Sequence, residues 1–476
     1  MLLIKNAELH AYCKQQMLAD VRCRNGVITQ IGKSLLPERN ETLLDARGGA
    51  LLPGLHDHHM HLLALAATRA SINCSPDHVR NCQELQQGLQ NAEGQGWIRA
   101  IHYHESIAGD LDRWQLDQLL PDRPLRLQHR SGILWMLNSK AIALLDIERE
   151  QGDGIERDEK GRVTGRLFRR DHWLRQRLGN SAAPGLGRVS QELAAYGITG
   201  ITDTGADNEA STLLLLEQAA GQAQLRQKVV LMGNEYLPLA THPGFQRGAL
   251  KILLDEFSLP ETDTLLQRMA IARQQQRPVA FHCVTEAQLV FALSILQQAG
   301  NATGDRIEHA SLCPDDVLPL LKSSGVAVVT QPGLLSGRGL QYQTDVPISQ
   351  HCILYRCRTF LNSGITLALS SDAPYGEINP WENMLAACER RNSDGYVLGE
   401  REKLSPEQAL QAYLADPLDL ARQRLVGIGA SADLCLLHLP WRHAREQLSA
   451  SLVAATLVDG EIVYKNPDCK DAVAPS

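Results

Sequence analysis

Between Leu51 and Leu62 the chain reads LLPGLHDHHMHL, an acid and four histidines set directly after an apolar run and a Pro-Gly turn. Neutral imidazole is a common ligand for zinc and related divalent metals. If 55–61 is a β-strand, its side chains alternate between two faces. Asp57, His59 and His61 then share one face, and His56, His58 and Met60 share the other. Two imidazoles at i and i+2 on one face can reach a single ion. Further along, ionisable or ligand-type residues recur in apolar segments. Lys251 lies in GALKILLDE, His282 in PVAFHC, His309 in RIEHA and Asp372 in ITLALSSDAP. Each has an ordinary structural reading by itself: a core histidine, a lysine snorkelling to a carbonyl, an aspartate capping a turn. The order His-x-His, Lys, His, His, Asp along successive segments favours a metal centre.

Such a centre needs a scaffold that brings distant segments to one place. From about 55 to 424, strand-like runs such as ITGITDTG, ALKILLDE, RPVAFHCV, DRIEHASL, GVAVVTQP and GITLALSSDAP alternate with amphipathic stretches. ETDTLLQRMAIARQQQ, TEAQLVFALSILQQAG and DDVLPLLKSSG are the clearest helices. Strand-helix alternation over this length predicts parallel βαβ units, and an eight-stranded α/β barrel is the commonest closed solution. Catalytic groups in such a barrel sit at the carboxyl ends of the strands, where these residues fall. Residues from about 70 to 195 break the rhythm and are read as an insertion after the first strand, expected to cover the active site. Within it GDGIERDEKGRVTGRL predicts a surface hairpin. Both chain ends are rich in short strands and turns, with Asn25-Gly26 and Asp459-Gly460 as hairpin signals. Residues 1–54 and 425–470 are therefore expected to form one small β-domain beside the barrel.

Composition narrows the function classes. Apolar residues make up 44% of the 476 and charged residues 21%, as in a globular protein. A formal charge of −7 without basic runs speaks against nucleic-acid partners, and no apolar run is long enough for a bilayer. The eleven cysteines have no regular spacing, which predicts reduced thiols and a cytoplasmic location. A small-molecule substrate is the expected partner. Oligomerisation is left open.

With these motifs in view, the chain resembles the amidohydrolase superfamily, especially its branch related to N-substituted formamide deformylase. PGLHDHHMH looks like the branch's PGxxDxHxH, and ITGITDTG, GDRIEHA, TLALSSDAP and ATLVDGEIVY look like its recurring blocks. The resemblance implies a distorted (β/α)8 barrel with a composite β-sandwich built from both termini. It implies that His59 and His61 hold one divalent metal, most simply zinc, and His282 and His309 a second. Lys251, carboxylated by CO2, would bridge them, and Asp372 would bind metal and serve as general acid/base. The implied reaction is hydrolysis of a non-peptide C–N bond in an amide, N-formyl or cyclic amide group by metal-activated water. The chain departs from the branch at Gly132-Ile133, where a Gly-His pair is usual, and His129 is a candidate substitute. Glu286 and Arg306 are further candidates for substrate contact. Glu286 also keeps open a mononuclear aminohydrolase that deaminates a heterocycle, whereas Lys251 argues for two ions. A barrel that has lost catalysis would have lost ligands, and all six are present.

Overall fold

The computed structural model describes residues 1–9, 17–178, 185–255 and 258–469. Residues 10–16 and 470 of the expected terminal domain, 179–184 of the expected insertion and 256–257 of the expected barrel lie outside these ranges. Among the described residues no helix is long and apolar enough to cross a membrane.

Eight strands form one parallel sheet in sequence order. They are Leu55–Met60, Ile198–Asp203, Lys228–Gly233, Phe245–Leu253, Val279–Cys283, Arg306–His309, Ala327–Thr330 and Leu367–Leu369. Ile198–Asp203 and Arg306–His309 are buried along their whole length, as expected of strands covered on both faces. The sheet nearly closes into the barrel that the alternation predicts. First and last strands meet at their carboxyl ends, where the Asp372 amide donates to the His59 carbonyl (2.8 Å) and the His61 amide to that of Ala373 (2.8 Å). The third strand, KVVLMG, is the one that periodicity does not single out. Its six residues form a short apolar run, which pattern alone cannot tell from buried helix.

The helices between strands begin where local chemistry starts them. Thr285 and Gln288 form a reciprocal capping box at the head of Glu286–Ala299, immediately after the strand that carries His282. The Gln288 amide also donates to the Leu254 carbonyl (2.7 Å), tying this helix to the chain that leaves the Lys251 strand.

Strands from both chain ends join in a second, eight-stranded sheet. Ala50–Pro53 runs parallel to Leu2–Leu9 and antiparallel to Leu434–Leu437. Ile4, Leu9, Val21, Ile28, Leu434, Leu436 and Leu457 share its core. Asn25 and Gly26 both have positive φ (49° and 79°), the tight turn that joins Met17–Arg24 to Val27–Gly32.

Gly197, which precedes the second barrel strand, is held at φ 83°, and a Cβ there would lie 2.5 Å from the Cys435 sulfur. Gly197→Ala is therefore expected to lower unfolding free energy by about 1–3 kcal/mol through strain and overlap together. Urea denaturation of the intact chain measures this, and an unchanged midpoint would contradict it.

Leu63–Leu186 forms a separate compact unit. It has its own six-stranded mixed sheet, including the hairpin Ile155–Arg157 with Val163–Phe168 in the segment where the sequence predicts one. Leu85, Leu89, Leu116, Leu125 and Leu127 fill one of its cores. Most of the expected insertion thus belongs to a compact unit with a sheet of its own.

Candidate metal centre

The first barrel strand ends at Met60, and His61 follows it at the mouth. The strand is not regular, because its register against Ile198–Asp203 shifts between Asp57 and Met60. Simple alternation would put Asp57 with His59 and His61. Instead Asp57 turns its Oδ1 back to the His59 amide (3.1 Å) and across to the Ser371 amide (3.1 Å). It fastens the seam between first and last strands from a fully buried position, and burial pushes its carboxyl up to about 6 despite those hydrogen bonds.

Asp372 lies three residues beyond the last barrel strand rather than at its end, with φ 56°. This backbone conformation, uncommon for a residue with a Cβ, aims its carboxylate back at the first strand. Oδ1 lies 3.3 Å from His59 Nε2 and 3.5 Å from His61 Nε2. Ligand atoms of His59, His61 and Asp372 all fall within 4.8 Å of one another, the only such group of three among the described residues. Burial would raise the Asp372 carboxyl, but hydrogen bonds with His59 and His61 hold it well below the usual carboxylate range.

His309 and His282 extend the group. The rings of His59 and His309 are 4.7 Å apart and those of His282 and His309 are 4.5 Å apart. His309 has φ 70° at the end of its strand. Its Nδ1 lies 2.8 Å from Gln331 Oε1, and Gln331 Nε2 donates to Ser370 Oγ (2.9 Å). With the amide so oriented, His309 Nδ1 carries the proton and Nε2 keeps a lone pair for a ligand. Burial pushes His282 down to about 4 and His309 well below its ordinary range, so both are neutral near pH 7. Lys251 is 1% exposed, and its Nζ is buried without a hydrogen-bond partner among the described residues. Burial lowers the pKa of its ammonium, a change that Glu308 and Asp372 oppose.

A buried carboxylate below these residues has no counterpart among the candidates read from the sequence. Glu308 Oε2 is 2.5 Å from His59 Nδ1, while Oε1 accepts from Arg306 Nε at 2.5 Å. His59 thus faces Glu308 through Nδ1 and Asp372 through Nε2. This is the support by which proteins fix the tautomer of a metal-ligating histidine. The sequence held a signal: Arg306 and Glu308 flank Ile307 in a fully buried strand, so two charges share one face. Glu308→Gln is expected to weaken metal binding by about 10–100-fold, since the two partners meet different carboxylate oxygens and the amide would turn an NH2 donor to one of them. Competition with a chelator reads the affinity, and an unaltered value would assign the ring's orientation to packing alone.

The remaining candidates lie elsewhere. Arg306 is 3% exposed and is spent within the barrel on Glu308 and the His58 carbonyl (2.7 Å), so it is not presented to a substrate. Glu286 is exposed in the first turn of its helix, where a carboxylate complements the helix dipole. His129, in the Leu63–Leu186 unit, pairs through Nε2 with Glu105 (3.0 Å) and through Nδ1 with Ser131 (2.8 Å).

Fold and site together define an α/β barrel with a histidine-carboxylate centre at the carboxyl ends of its strands. Residues 42–464 match the amidohydrolase family, and the chain belongs to it. It is 24% identical to the N-substituted formamide deformylase of Arthrobacter pascens, over 92% of each chain. Its fold is that of a metal-dependent hydrolase from Pyrococcus horikoshii OT3 (TM-score 0.79, 18% identity, 94% of this chain and 99% of that one). The atrazine chlorohydrolase TrzN of Arthrobacter aurescens TC1, solved with zinc, shares the fold at TM-score 0.58 and 15% identity, over 98% of this chain and 96% of that one.

Proposed function

We propose that this protein hydrolyses a C–N bond of a small amide, N-formyl or cyclic amide substrate with a divalent metal. The observation that carries the reading is the meeting of His59, His61 and Asp372 within 4.8 Å beside a buried, unpartnered Lys251 amine. An amine at such a depth costs free energy unless a cation or a modification supplies it with a partner. The donor set suits zinc, which the TrzN structure contains, and the similar formamide deformylase bears the name of a C–N hydrolase.

His59 and His61 with Asp372 would hold one ion, and His282 and His309 a second. A bound divalent cation lowers the pKa of water and polarises a carbonyl. The protein's own groups do the rest. Burial favours the neutral Lys251 amine, which is the form that adds to CO2, losing a proton to become a carbamate with two oxygen donors. Asp372 is held ionised, so it can accept a proton from the attacking water and return it to the leaving nitrogen. Glu308 fixes the His59 ring and Gln331 the His309 ring, so neither has to reorient during turnover.

The test is metal analysis of the purified protein followed by a screen of N-formyl, N-acyl, hydantoin-like and aminoheterocycle substrates. Release of an amine from the first three, abolished by a chelator and restored by zinc, is expected. Ammonia release from the heterocycles alone would assign the protein to the deaminase class instead.

A further inference from the structure

The Leu63–Leu186 unit carries a group of ligand-type side chains of its own. Its strands Ile98–Tyr103 and Leu125–His129 run parallel, with Tyr103 in register with His129. His104 follows the first strand and His129 ends the second. Both therefore stand at carboxyl ends, the side on which open α/β sheets bind ligands. Each histidine heads the same short pattern, His-x-Ser, as His104-Glu105-Ser106 and His129-Arg130-Ser131. Each uses it alike. Nδ1 lies 2.8 Å from the serine Oγ and accepts from the serine amide, at 3.3 Å for Ser106 and 3.2 Å for Ser131. The two rings stack with centroids 6.2 Å apart. Their Nε2 atoms reach the two oxygens of one carboxylate, Glu105, at 3.4 Å from His104 and 3.0 Å from His129. Among the described residues no lysine or arginine pairs with Glu105.

Imidazole and carboxylate are both zinc donors, and three of them suffice to hold an ion with a fourth position left to water. We propose that His104, Glu105 and His129 form a further divalent-metal site, of the zinc type, within this unit. Its own amide and His129 hold the Glu105 carboxyl below its ordinary range, so it meets a cation ionised. Because Nδ1 accepts from an amide, each neutral ring carries its proton on Nε2. When an ion takes Nε2, that proton moves to Nδ1, the long amide contact is given up and the serine hydroxyl accepts instead. An acceptor behind the ring is what orients a metal-ligating imidazole, and here it is built twice. The group is wider than the barrel centre, because its imidazoles face different carboxylate oxygens. Zinc–nitrogen bonds of about 2.0–2.1 Å would draw both to one point. All three side chains are partly exposed, so this closure disturbs little packing. His102 is turned to Asn73 (3.3 Å) and takes no part. Such a site would exist whether or not the barrel hydrolyses C–N bonds.

The test is equilibrium dialysis of the intact chain against zinc, with bound ions counted per chain. Wild type is compared with His104→Ala, His129→Ala, Glu105→Gln, Ser106→Ala and Ser131→Ala. The barrel centre is unaltered in all of them, so the differences belong to this group. His104→Ala and His129→Ala are expected to hold about one zinc ion fewer than wild type, since each leaves only two ligands. Ser106→Ala and Ser131→Ala should keep the ion but bind it about 10–100-fold more weakly, as for loss of the hydrogen bond behind a ligating imidazole. Glu105→Gln should also bind more weakly, because a neutral amide replaces the charged donor. Melting temperatures in the presence of a chelator show whether each variant is folded. If a histidine variant unfolds, the serine and Gln variants, which change one atom each, decide. Equal zinc counts in wild type and folded histidine variants would overturn the site. So would serine variants that bind zinc as tightly as wild type, because the imidazoles would then be an adventitious surface pair.

Discussion

Replacing Asp372 by Asn is expected to cut kcat by about 10²–10⁴ while leaving the fold intact. The substitution keeps the shape and one oxygen facing His59 and His61, 3.3 and 3.5 Å away in the native protein. It removes the base. In the native site two imidazoles and burial act on this carboxyl in opposite senses, and the imidazoles prevail, so an ionised oxygen is ready at neutral pH. An amide cannot take a proton from water or hand one to a leaving nitrogen, so the loss falls on kcat more than on KM. The alternative is a purely structural Asp372 that ends a strand and begins a turn. Its amide and carbonyl do serve the turn, but these are backbone groups, and Asn retains them. Metal content, melting temperature and kcat of the Asn variant decide between the two. Normal kcat with a lowered melting temperature would leave Asp372 only its structural role.

Lys251→Ala is expected to lower bound metal from about two ions per chain toward one. The lysine is among the largest fully buried side chains, in a strand otherwise lined by Ala249, Leu250 and Ile252. Burying an amine without a partner costs free energy that a structural role would have to repay. The proposed carbamate would repay it by holding metal, and a truncated side chain would remove that hold. Short carboxylic acids such as acetate or propionate should partly restore activity by filling the space with two oxygens. The truncation also leaves a cavity, worth about 2–5 kcal/mol in a rigid core, so unfolding must be followed alongside. A folded variant whose metal content equals that of the native protein would point to the mononuclear deaminase.

Much of this arrangement was legible in the sequence. Strand-helix alternation is a local property set by backbone hydrogen bonding and burial, so the barrel and its order of strands followed from it. Asn25-Gly26 announced its turn because few other residue pairs tolerate two successive positive φ angles. His59, Lys251, His282 and His309 stood out because each puts a polar group where a strand would otherwise carry an aliphatic one, and His61 and Asp372 because each follows an apolar strand-like run. What the sequence could not settle is which groups those residues face. His59 and Glu308 are 249 positions apart, and no spacing rule links them. Periodicity also failed at the first strand, where one irregularity of register moved Asp57 out of the group and into the seam. Arg306 looked like a substrate contact and became an internal partner of Glu308, because barrel closure turned its face inward. Residue types determined the chemistry available to this protein, while the closure of the barrel decided which side chains meet, because only closure brings the first and last strands together.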